Sequence, residues 1–197
     1  MLKIGVFGGW FNPPHKMHEN IANSLIAMKK IDKVIFVPTG NGYNKNELTD
    51  VQNRINMLQL LADKNNNFEV SSISRHQEYT YTYQVLDYYK CQNPDSDIYF
   101  ICGTDNLKEF KTWKQYEYIL RNYKLLVITR DKENTDKLLK EYSKYIYRIC
   151  IVDMGFNPVS STQIRNCIKT RQYDKIHDVI DNKVLKYIID NNLYYDI

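Results

Sequence analysis

The sequence alternates short β-branched runs with longer amphipathic stretches from one end to the other. Runs rich in Val, Ile, Phe and Tyr predict strands, and apolar residues that recur every three to four positions predict helices. This alternation favours a parallel, doubly wound α/β sheet with helices on both faces. The predicted strands are 3–8, 33–38, 67–72, 97–103, 124–130 and 147–153, and the predicted helices lie near 16–30, 50–64, 80–91, 104–121, 133–143, 160–170 and 182–191.

Length and charge limit the domain count and the class of ligand. A chain of 197 residues, 43% of them hydrophobic, can bury one full core and is too short for two ordinary domains. No linker or internal repeat is evident, so we expect residues 1–197 to form one domain. The net charge of +4 is spread along the chain, which indicates no nucleic-acid partner and suits small phosphorylated molecules.

The expected compartment follows from the cysteines and from hydropathy. Cys91, Cys102, Cys150 and Cys167 are widely spaced and form no Cys-x-x-Cys pair, so we interpret them as reduced core thiols of a cytoplasmic protein. No window approaches the roughly 18 apolar residues of a membrane span. We therefore expect no membrane partner.

Four loops that follow predicted strands carry unusual residues. In parallel sheets of this kind, ligands bind outside the carboxyl ends of the strands, at the point where the strand order reverses. We expect the four loops to meet at that edge, with the Gly- and Asn-rich segment 39–49 as a loop over the site. The loops are "GGWFNPPHKMH", "PTGNGYNK", "GTDN" and "FNPVSSTQIR".

The first loop places two histidines, His15 and His18, at the start of a predicted helix. Gly8 and Gly9 before them let a ligand approach the main chain. The pair fits three interpretations: surface or capping histidines, zinc ligands, or donors to a phosphate. No cysteine or acid nearby has the spacing to complete a tetrahedral zinc site. A phosphate fits better, because the helix start already favours negative charge.

The last loop opens another predicted helix with hydroxyl-bearing residues. Ser160, Ser161 and Thr162 offer hydroxyls and backbone N–H groups, and Arg165 follows one turn later. A Ser-Ser-Thr run is often no more than an N-cap. Arg165 at this spacing favours an anion site.

The fourth strand ends in Gly103, and Asp105 follows. Asp105 could cap the next helix, and Gly103 would let a ligand lie against the backbone. Trp113 is a core residue or a stacking platform. Its place soon after the loop keeps both interpretations open.

These motifs together resemble those of the nucleotidylyltransferase superfamily, His-x-Gly-His and Ile-Ser-Ser-Thr-x-Ile-Arg. Within it they are most similar to the nicotinate-nucleotide adenylyltransferase family of NAD biosynthesis. The resemblance covers nearly the whole chain, including "LTDVQNRINML" with Arg54 and the closing "VLKYIIDNNLYY". The residues that carry it are Gly8-Gly9-x-Phe11-x-Pro13-x-His15-x-x-His18, Gly103-Thr104-Asp105, Trp113 and Val159-Ser160-Ser161-Thr162-x-Ile164-Arg165.

The resemblance implies a Rossmann-like nucleotidylyltransferase fold and transfer of AMP from ATP to nicotinate mononucleotide, which forms nicotinate adenine dinucleotide and pyrophosphate. It implies Mg²⁺ that is held mainly by the substrate phosphates, with no protein metal site. The implied catalytic residues are His15 and His18; the ATP-binding residues are Gly8, Gly9, Phe11, Gly103, Asp105, Ser160, Ser161, Thr162 and Arg165; the mononucleotide-binding residues are Lys45, Thr82 and Trp113.

Three departures from the family pattern leave alternatives open. Met17 replaces the glycine between the histidines and is expected to add bulk beside a phosphate, and Asn12 replaces an aspartate and removes a charge. The run before Lys45 is "GNGYN" instead of proline-rich. The alternatives are a pantetheine-phosphate or nicotinamide-mononucleotide adenylyltransferase, or a non-catalytic nucleotide-binding relative. A homo-oligomer is also left open.

Overall fold

A sheet of parallel strands runs through the computed structural model, which describes residues 1–41, 48–76, 81–129, 132–155 and 159–195. Within these residues the sheet has six strands, ordered β3-β2-β1-β4-β5-β6, and each pairs in parallel with its neighbours. The strands are β1 (Lys3–Gly9), β2 (Lys33–Pro38), β3 (Phe68–Val70), β4 (Asp97–Gly103), β5 (Lys124–Thr129) and β6 (Ile149–Asp153).

Helices connect successive strands and cover both faces of the sheet. The strand order reverses between β1 and β4, which is where a doubly wound sheet opens a crevice at its carboxyl edge. The predicted fold class is therefore confirmed. The helices are α1 (Lys16–Ala27), α2 (Val51–Ala62), α3 (Thr82–Gln92), α4 (Thr104–Glu109), α5 (Tyr116–Asn122), α6 (Lys132–Lys140), α7 (Ser161–Lys169) and α8 (Asn182–Asp190).

Neighbouring residues of the central strands feed two separate cores. Side chains alternate between the two faces of a strand, so Val6 and Phe100 enter one cluster, while Phe7 and Ile101 enter the other. Both faces of β1 and β4 are thereby buried. This explains why these strands are continuous apolar runs in the sequence.

A third core lies outside the sheet, where α2, α7 and α8 pack together. Met57 of α2 meets Ile164 of α7 and Val184 of α8 in this cluster, and Tyr194 joins them. The outer face of α2 thus supports the two C-terminal helices. This packing brings the start of α7 back to the carboxyl edge of the sheet.

The predicted helix 104–121 is wrong, because the chain breaks it into two helices. A 3₁₀ turn at Phe110–Thr112 follows α4, and α5 begins only after Gln115, whose φ of 60° is left-handed. The Thr112 hydroxyl donates to the carbonyl of Glu109 at 2.7 Å, which ends the α-helical pattern. The break turns Trp113 towards the sheet.

Two predicted strands are shorter than expected. β3 spans Phe68–Val70 at the sheet edge, and the Ser71 hydroxyl then accepts a hydrogen bond from the backbone N–H of Ile73 at 3.1 Å, which starts a turn. β6 starts at Ile149 because the two residues before it belong to a 3₁₀ turn.

The structure describes the four cysteines and the helices on which the predictions of core thiols and of no membrane span depend. All four cysteines are described and are free thiols, but only Cys102 is fully buried, so the prediction of four core thiols is wrong for the exposed Cys91. Burial raises the pKa of the Cys102 thiol. None of the described helices has the length and apolar character needed to cross a membrane.

Candidate active site

A cleft of about 650 Å³ opens at the carboxyl ends of β1 and β4, at the reversal of strand order. Its walls combine the end of β1, the start of α3 and the broken segment between α4 and α5. The lining residues are Gly8, Gly9, Trp10, Thr39, Tyr81, Thr82, Phe100, Asn106, Glu109, Thr112, Trp113 and Lys114.

Gly8 and Gly9 have no side chains, which leaves room for this cleft at the end of β1. A Cβ on Gly8 would lie 3.0 Å from the Phe100 ring, and one on Gly9 would lie 3.1 Å from the Phe11 ring. The carbonyl of Gly9 accepts hydrogen bonds from both the backbone N–H and the hydroxyl of Thr39, at 2.9 and 3.2 Å. Thr39, directly after β2, therefore fixes the backbone beside the cleft.

His15 and His18 form one stacked unit at the start of α1. Their rings lie 3.8 Å apart between centroids, at an interplanar angle of 30°. His15 is the N-cap, and its backbone N–H donates to Nδ1 of His18 at 3.1 Å. His18 thereby takes the place that Glu or Gln has in a capping box.

This hydrogen bond also assigns the tautomer of His18. An Nδ1 that accepts a hydrogen bond carries no proton, so the neutral ring carries its proton on Nε2. The capping and phosphate interpretations of the pair are therefore compatible. Nδ1 accepts the hydrogen bond at the helix start, and Nε2 carries the ring proton.

The rings beneath His18 hold it from the core side. The Phe11 and His18 rings make an edge-to-face contact with their centroids 4.8 Å apart. The centroids of Phe7 and His18 are 6.0 Å apart. Phe11 is only 2% exposed and has a left-handed φ of 46°. Its side chain supports the imidazole, which leaves only its backbone for contact with a nucleotide.

Met17 does not add bulk to the site. Its side chain is buried in the cluster that contains Phe7 and Ile21, because the position after Lys16 in the first turn of α1 faces the sheet. The expectation that Met17 crowds a phosphate is therefore wrong.

The two sequence motifs meet through the carbonyls of the loop after β1. The Ser161 hydroxyl donates to the carbonyl of Pro13 at 2.9 Å, and Nη1 of Arg165 donates to the carbonyl of Asn12 at 3.0 Å. Ser160 is the N-cap of α7, and its hydroxyl accepts from the N–H of Gln163 at 3.2 Å. The start of α7 is thus docked against the loop that carries His15 and His18.

This docking changes which groups of α7 can bind an anion. The hydroxyls of Ser160 and Ser161 already have partners within the protein. Thr162 is exposed, and its hydroxyl lies 3.4 Å from Nη2 of Arg165. An anion at this helix start would therefore meet backbone N–H groups, Thr162 and Arg165.

A buried arginine crosses beneath the same loop. Arg54 is fully buried and donates to the carbonyls of Thr49 and Trp10 at 2.8 and 3.0 Å. Burial lowers its pKa to about 10, so it remains a cation at neutral pH. The family segment that contains Arg54 was its only signal in the sequence.

Asn12 and Tyr194 are site residues that the sequence analysis did not assign. Asn12 is buried, and its Oδ1 accepts hydrogen bonds from the Thr49 N–H at 3.2 Å and the Tyr194 hydroxyl at 3.0 Å. Nothing in the local sequence around either residue could have paired them. Only their places within family segments set them apart.

The far end of the cleft is aromatic. Trp113 is half-buried, packs on Phe100 and Phe110 at 5.9 and 5.0 Å between centroids, and lines the cleft. Thr82 is the first residue of α3 and faces the same space. Trp113 therefore packs against the core, and its place in the cleft lining is compatible with the predicted stacking platform.

Lysines around the cleft differ in their partners. Nζ of Lys114 lies 4.4 Å from the centroid of the Tyr81 ring at the cleft wall. Lys111 instead pairs with Glu141 at 2.9 Å. Lys45 lies outside the described residues.

Gly103 and Asp105 lie at the end of β4. Gly103 is the N-cap of α4, and Asp105 lies in its first turn. A Cβ on Gly103 would collide with the Asp105 carboxylate, so this position requires glycine while the carboxylate folds back over it. Within the described ranges, no three His, Cys, Asp or Glu side chains come together as a metal centre would require.

Comparisons with known proteins show the family to which the chain belongs. Residues 6–167 match the family model described as cytidylyltransferase-like. Two relatives, both described as probable nicotinate-nucleotide adenylyltransferases, are 34% identical to this chain: one from Endomicrobium trichonymphae and one from Clostridium acetobutylicum. In each case 98% of this chain and all of the relative are covered.

A solved structure is similar over the same extent. Nicotinic acid mononucleotide adenylyltransferase from Plasmodium falciparum, complexed with NaAD, has a TM-score of 0.82 and 22% sequence identity, with 98% of both chains covered. At this identity the similarity establishes the fold.

The capping role of His18 can be measured through stability. We expect His18→Ala to unfold with a free energy about 1 kcal/mol below that of His18→Glu, because the carboxylate still accepts from the His15 N–H and alanine does not. Urea denaturation gives both values. His177→Ala, a change at an exposed histidine, serves as the control and should lie within about 0.5 kcal/mol of the unsubstituted protein. Equal stability of the two His18 variants would contradict the capping role.

Proposed function

Because the chain belongs to the cytidylyltransferase-like family, we propose that it transfers AMP from ATP to nicotinate mononucleotide, which forms nicotinate adenine dinucleotide and pyrophosphate in NAD biosynthesis. The observation that carries this proposal is the stacked His15–His18 pair, at the end of a loop that is docked to α7 and that begins at Trp10 in the wall of the cleft. The relatives named for this activity match the chain over nearly its full length. We propose one domain over residues 1–197.

The chemistry of this reaction needs alignment more than acid–base groups. The attacking phosphate of the mononucleotide is already an anion, so no general base and no covalent intermediate are required. Catalysis then consists of holding two phosphates in line and stabilising the charge on the transferred phosphoryl group. A neutral imidazole with a fixed Nε2–H donor supplies such stabilisation without reorganising during the reaction.

We assign the phosphate contacts by position. His15 and His18 bind the α- and β-phosphates of ATP at the start of α1. The start of α7, including Ser160 to Thr162, binds the β- and γ-phosphates together with Arg165. Since α7 is docked to the carbonyls beside His15, both phosphate sites belong to one rigid unit.

We assign the two nucleosides to different residues around the cleft. Gly8, Gly9 and the backbone of Phe11 lie along the nucleotide, while Gly103 and Asp105 meet adenosine. The pyridine ring stacks on the cleft face of Trp113, beside Thr82. Lys45 is proposed to bind the mononucleotide from outside the described residues.

Mg²⁺ accompanies ATP in this proposal. Ring nitrogens and hydroxyls surround the phosphate site, and Mg²⁺ prefers carboxylate and phosphate oxygens, so we assign the ion to the phosphates of ATP. When bound, it neutralises charge on the phosphate oxygens. The protein contributes the fixed donors around it.

We further propose that the chain works in the cytoplasm on small molecules, without nucleic acid. The four free thiols are the form that a reducing compartment maintains. The net charge of +4 is compatible with anionic substrates.

Both His18 variants should lose turnover, although only one loses the helix cap. We expect kcat to fall about 100-fold or more in His18→Ala and His18→Glu, because neither side chain donates to a phosphate at neutral pH. His15→Ala should lose less. Pyrophosphate release from ATP and nicotinate mononucleotide measures the effect, with His177→Ala as the control. Turnover at the unsubstituted rate in either His18 variant would contradict the proposed role.

Arg165 should act mainly on ATP. We expect Arg165→Ala to raise the KM for ATP about tenfold, since a charge-assisted hydrogen bond is worth roughly 1.5–3 kcal/mol, and to leave the KM for the mononucleotide unchanged. Lys175→Ala removes an exposed cation elsewhere and is the matched control. An unchanged KM for ATP would mean that Arg165 only docks α7 to Asn12.

The acid form of the mononucleotide should be preferred over the amide. A carboxylate on the stacked ring would meet Lys114 and backbone N–H groups, whereas an amide NH₂ would face donors, so we expect kcat/KM values that differ on the order of 100-fold. Lys114→Gln should reduce this ratio. Lys111 pairs with Glu141, so Lys111→Gln is the control and should leave the ratio of the two kcat/KM values unchanged. Equal kcat/KM values for the two mononucleotides would contradict the acid-specific pocket.

A further inference from the structure

We propose that Tyr194 is a positioning residue for the imidazole pair and acts through the buried side chain of Asn12. For its kinetic consequences this inference rests on the proposed function. Its structural part concerns the geometry of His15 and His18 and can be tested without turnover.

The Tyr194 hydroxyl reaches the loop after β1 from the C-terminal end of the fold. The residue is 3% exposed, and its ring packs in the third core with α2, α7 and α8. Its hydroxyl leaves that apolar cluster and donates to Oδ1 of Asn12 at 3.0 Å. A phenylalanine would fill the same space in the core, so packing alone gives no reason for the hydroxyl.

Asn12 joins three separate segments of the chain. Its Oδ1 also accepts from the backbone N–H of Thr49 at 3.2 Å, and its main-chain carbonyl accepts from Arg165 at 3.0 Å. The residue is 5% exposed, so water cannot easily replace a lost partner. The positions of Thr49, Arg165 and Tyr194 together fix where Asn12 lies.

The hydroxyl of Tyr194 lies in a strongly polar pocket within the protein. Burial raises its pKa, while Thr49 and the guanidinium groups of Arg54 and Arg165 act in the opposite direction. The raising effect is larger, so the group is an O–H donor at neutral pH. The Tyr194 hydroxyl is therefore protonated at neutral pH and can donate to Asn12.

A displacement of Asn12 also displaces His15 and His18, because the segment between them is stiff. Pro13 and Pro14 separate Asn12 from His15, and their rings fix φ, so this segment cannot absorb a displacement by rotating about those bonds. The backbone N–H of His15 donates to Nδ1 of His18. Moving Asn12 thus changes the hydrogen bond that sets the tautomer and direction of His18.

The test begins with Tyr194→Phe, which keeps the ring in the core and removes only the hydroxyl. We expect kcat for pyrophosphate release to fall about 5- to 10-fold, because the hydroxyl loses its hydrogen bonds with Asn12 and with the Thr49 side chain, and the KM for the mononucleotide should be unchanged. The matched control is Tyr195→Phe, because the Tyr195 hydroxyl bonds to that of Tyr173 at 2.6 Å. Its kcat should stay within about twofold of the unsubstituted value.

A double-mutant cycle identifies Asn12 as the partner. Asn12→Ala combined with Tyr194→Phe should lower kcat no further than Asn12→Ala alone, because both changes break the same bond. Asn12→Asp retains the side-chain oxygen that accepts from Tyr194 and Thr49, and it should keep much more of the turnover than Asn12→Ala. Additive losses in the cycle would overturn the proposal.

A readout that does not depend on activity separates this inference from the proposed function. In ¹⁵N-histidine-labelled protein, the ring nitrogen shifts report which nitrogen of His18 carries the proton. We expect the unprotonated Nδ1 signal of His18 to move towards a mixed tautomer in Tyr194→Phe and to remain unchanged in Tyr195→Phe. An unchanged His18 signal in Tyr194→Phe would overturn the inference. An unsubstituted protein that releases no pyrophosphate would contradict only the proposed function.

Discussion

Two carbonyl oxygens in the loop after β1, those of Asn12 and Pro13, connect the sheet to the C-terminal helices. Proline residues have no N–H to offer, but the carbonyls around them still need donors, and these come from Arg165 and Ser161 of α7. The starts of α1 and α7 are thereby held against each other. Without these contacts, α1 and α7 would present their N-termini from independent elements, and a triphosphate spanning both would have to bring them together.

Several groups in this site have a structural and a chemical task at once. His18 caps α1 with one nitrogen and is proposed to donate to a phosphate with the other, while Trp113 packs on Phe100 and lines the cleft. Such sharing economises on residues in a small domain. It also means that one substitution changes both stability and activity, so the two effects must be separated with paired variants.

The sequence predicts those features that depend on local pattern. Hydrophobic periodicity identifies the strands and the parallel fold, and motif order identifies the residues around the strand reversal. The contact between Asn12 and Tyr194 spans 182 positions, and no local pattern encodes it. The burial of Met17 depends on which face of α1 packs against the sheet. The break before α5 depends on a left-handed φ at Gln115, a conformation that a glutamine in the sequence does not predict.

The third core, formed by α2, α7 and α8, has a consequence for how the protein acquires its site during synthesis. The ribosome releases the chain from its N-terminus, so β1, α1 and α2 emerge long before the helices that cover α2. Until residue 194 has left the exit tunnel, the cover of α2 is incomplete and Asn12 lacks one of its donors. Nascent chains therefore carry His15 and His18 before Tyr194 can hold Asn12, so the contacts that position the imidazole pair are completed only after the strands β1 to β6 have emerged.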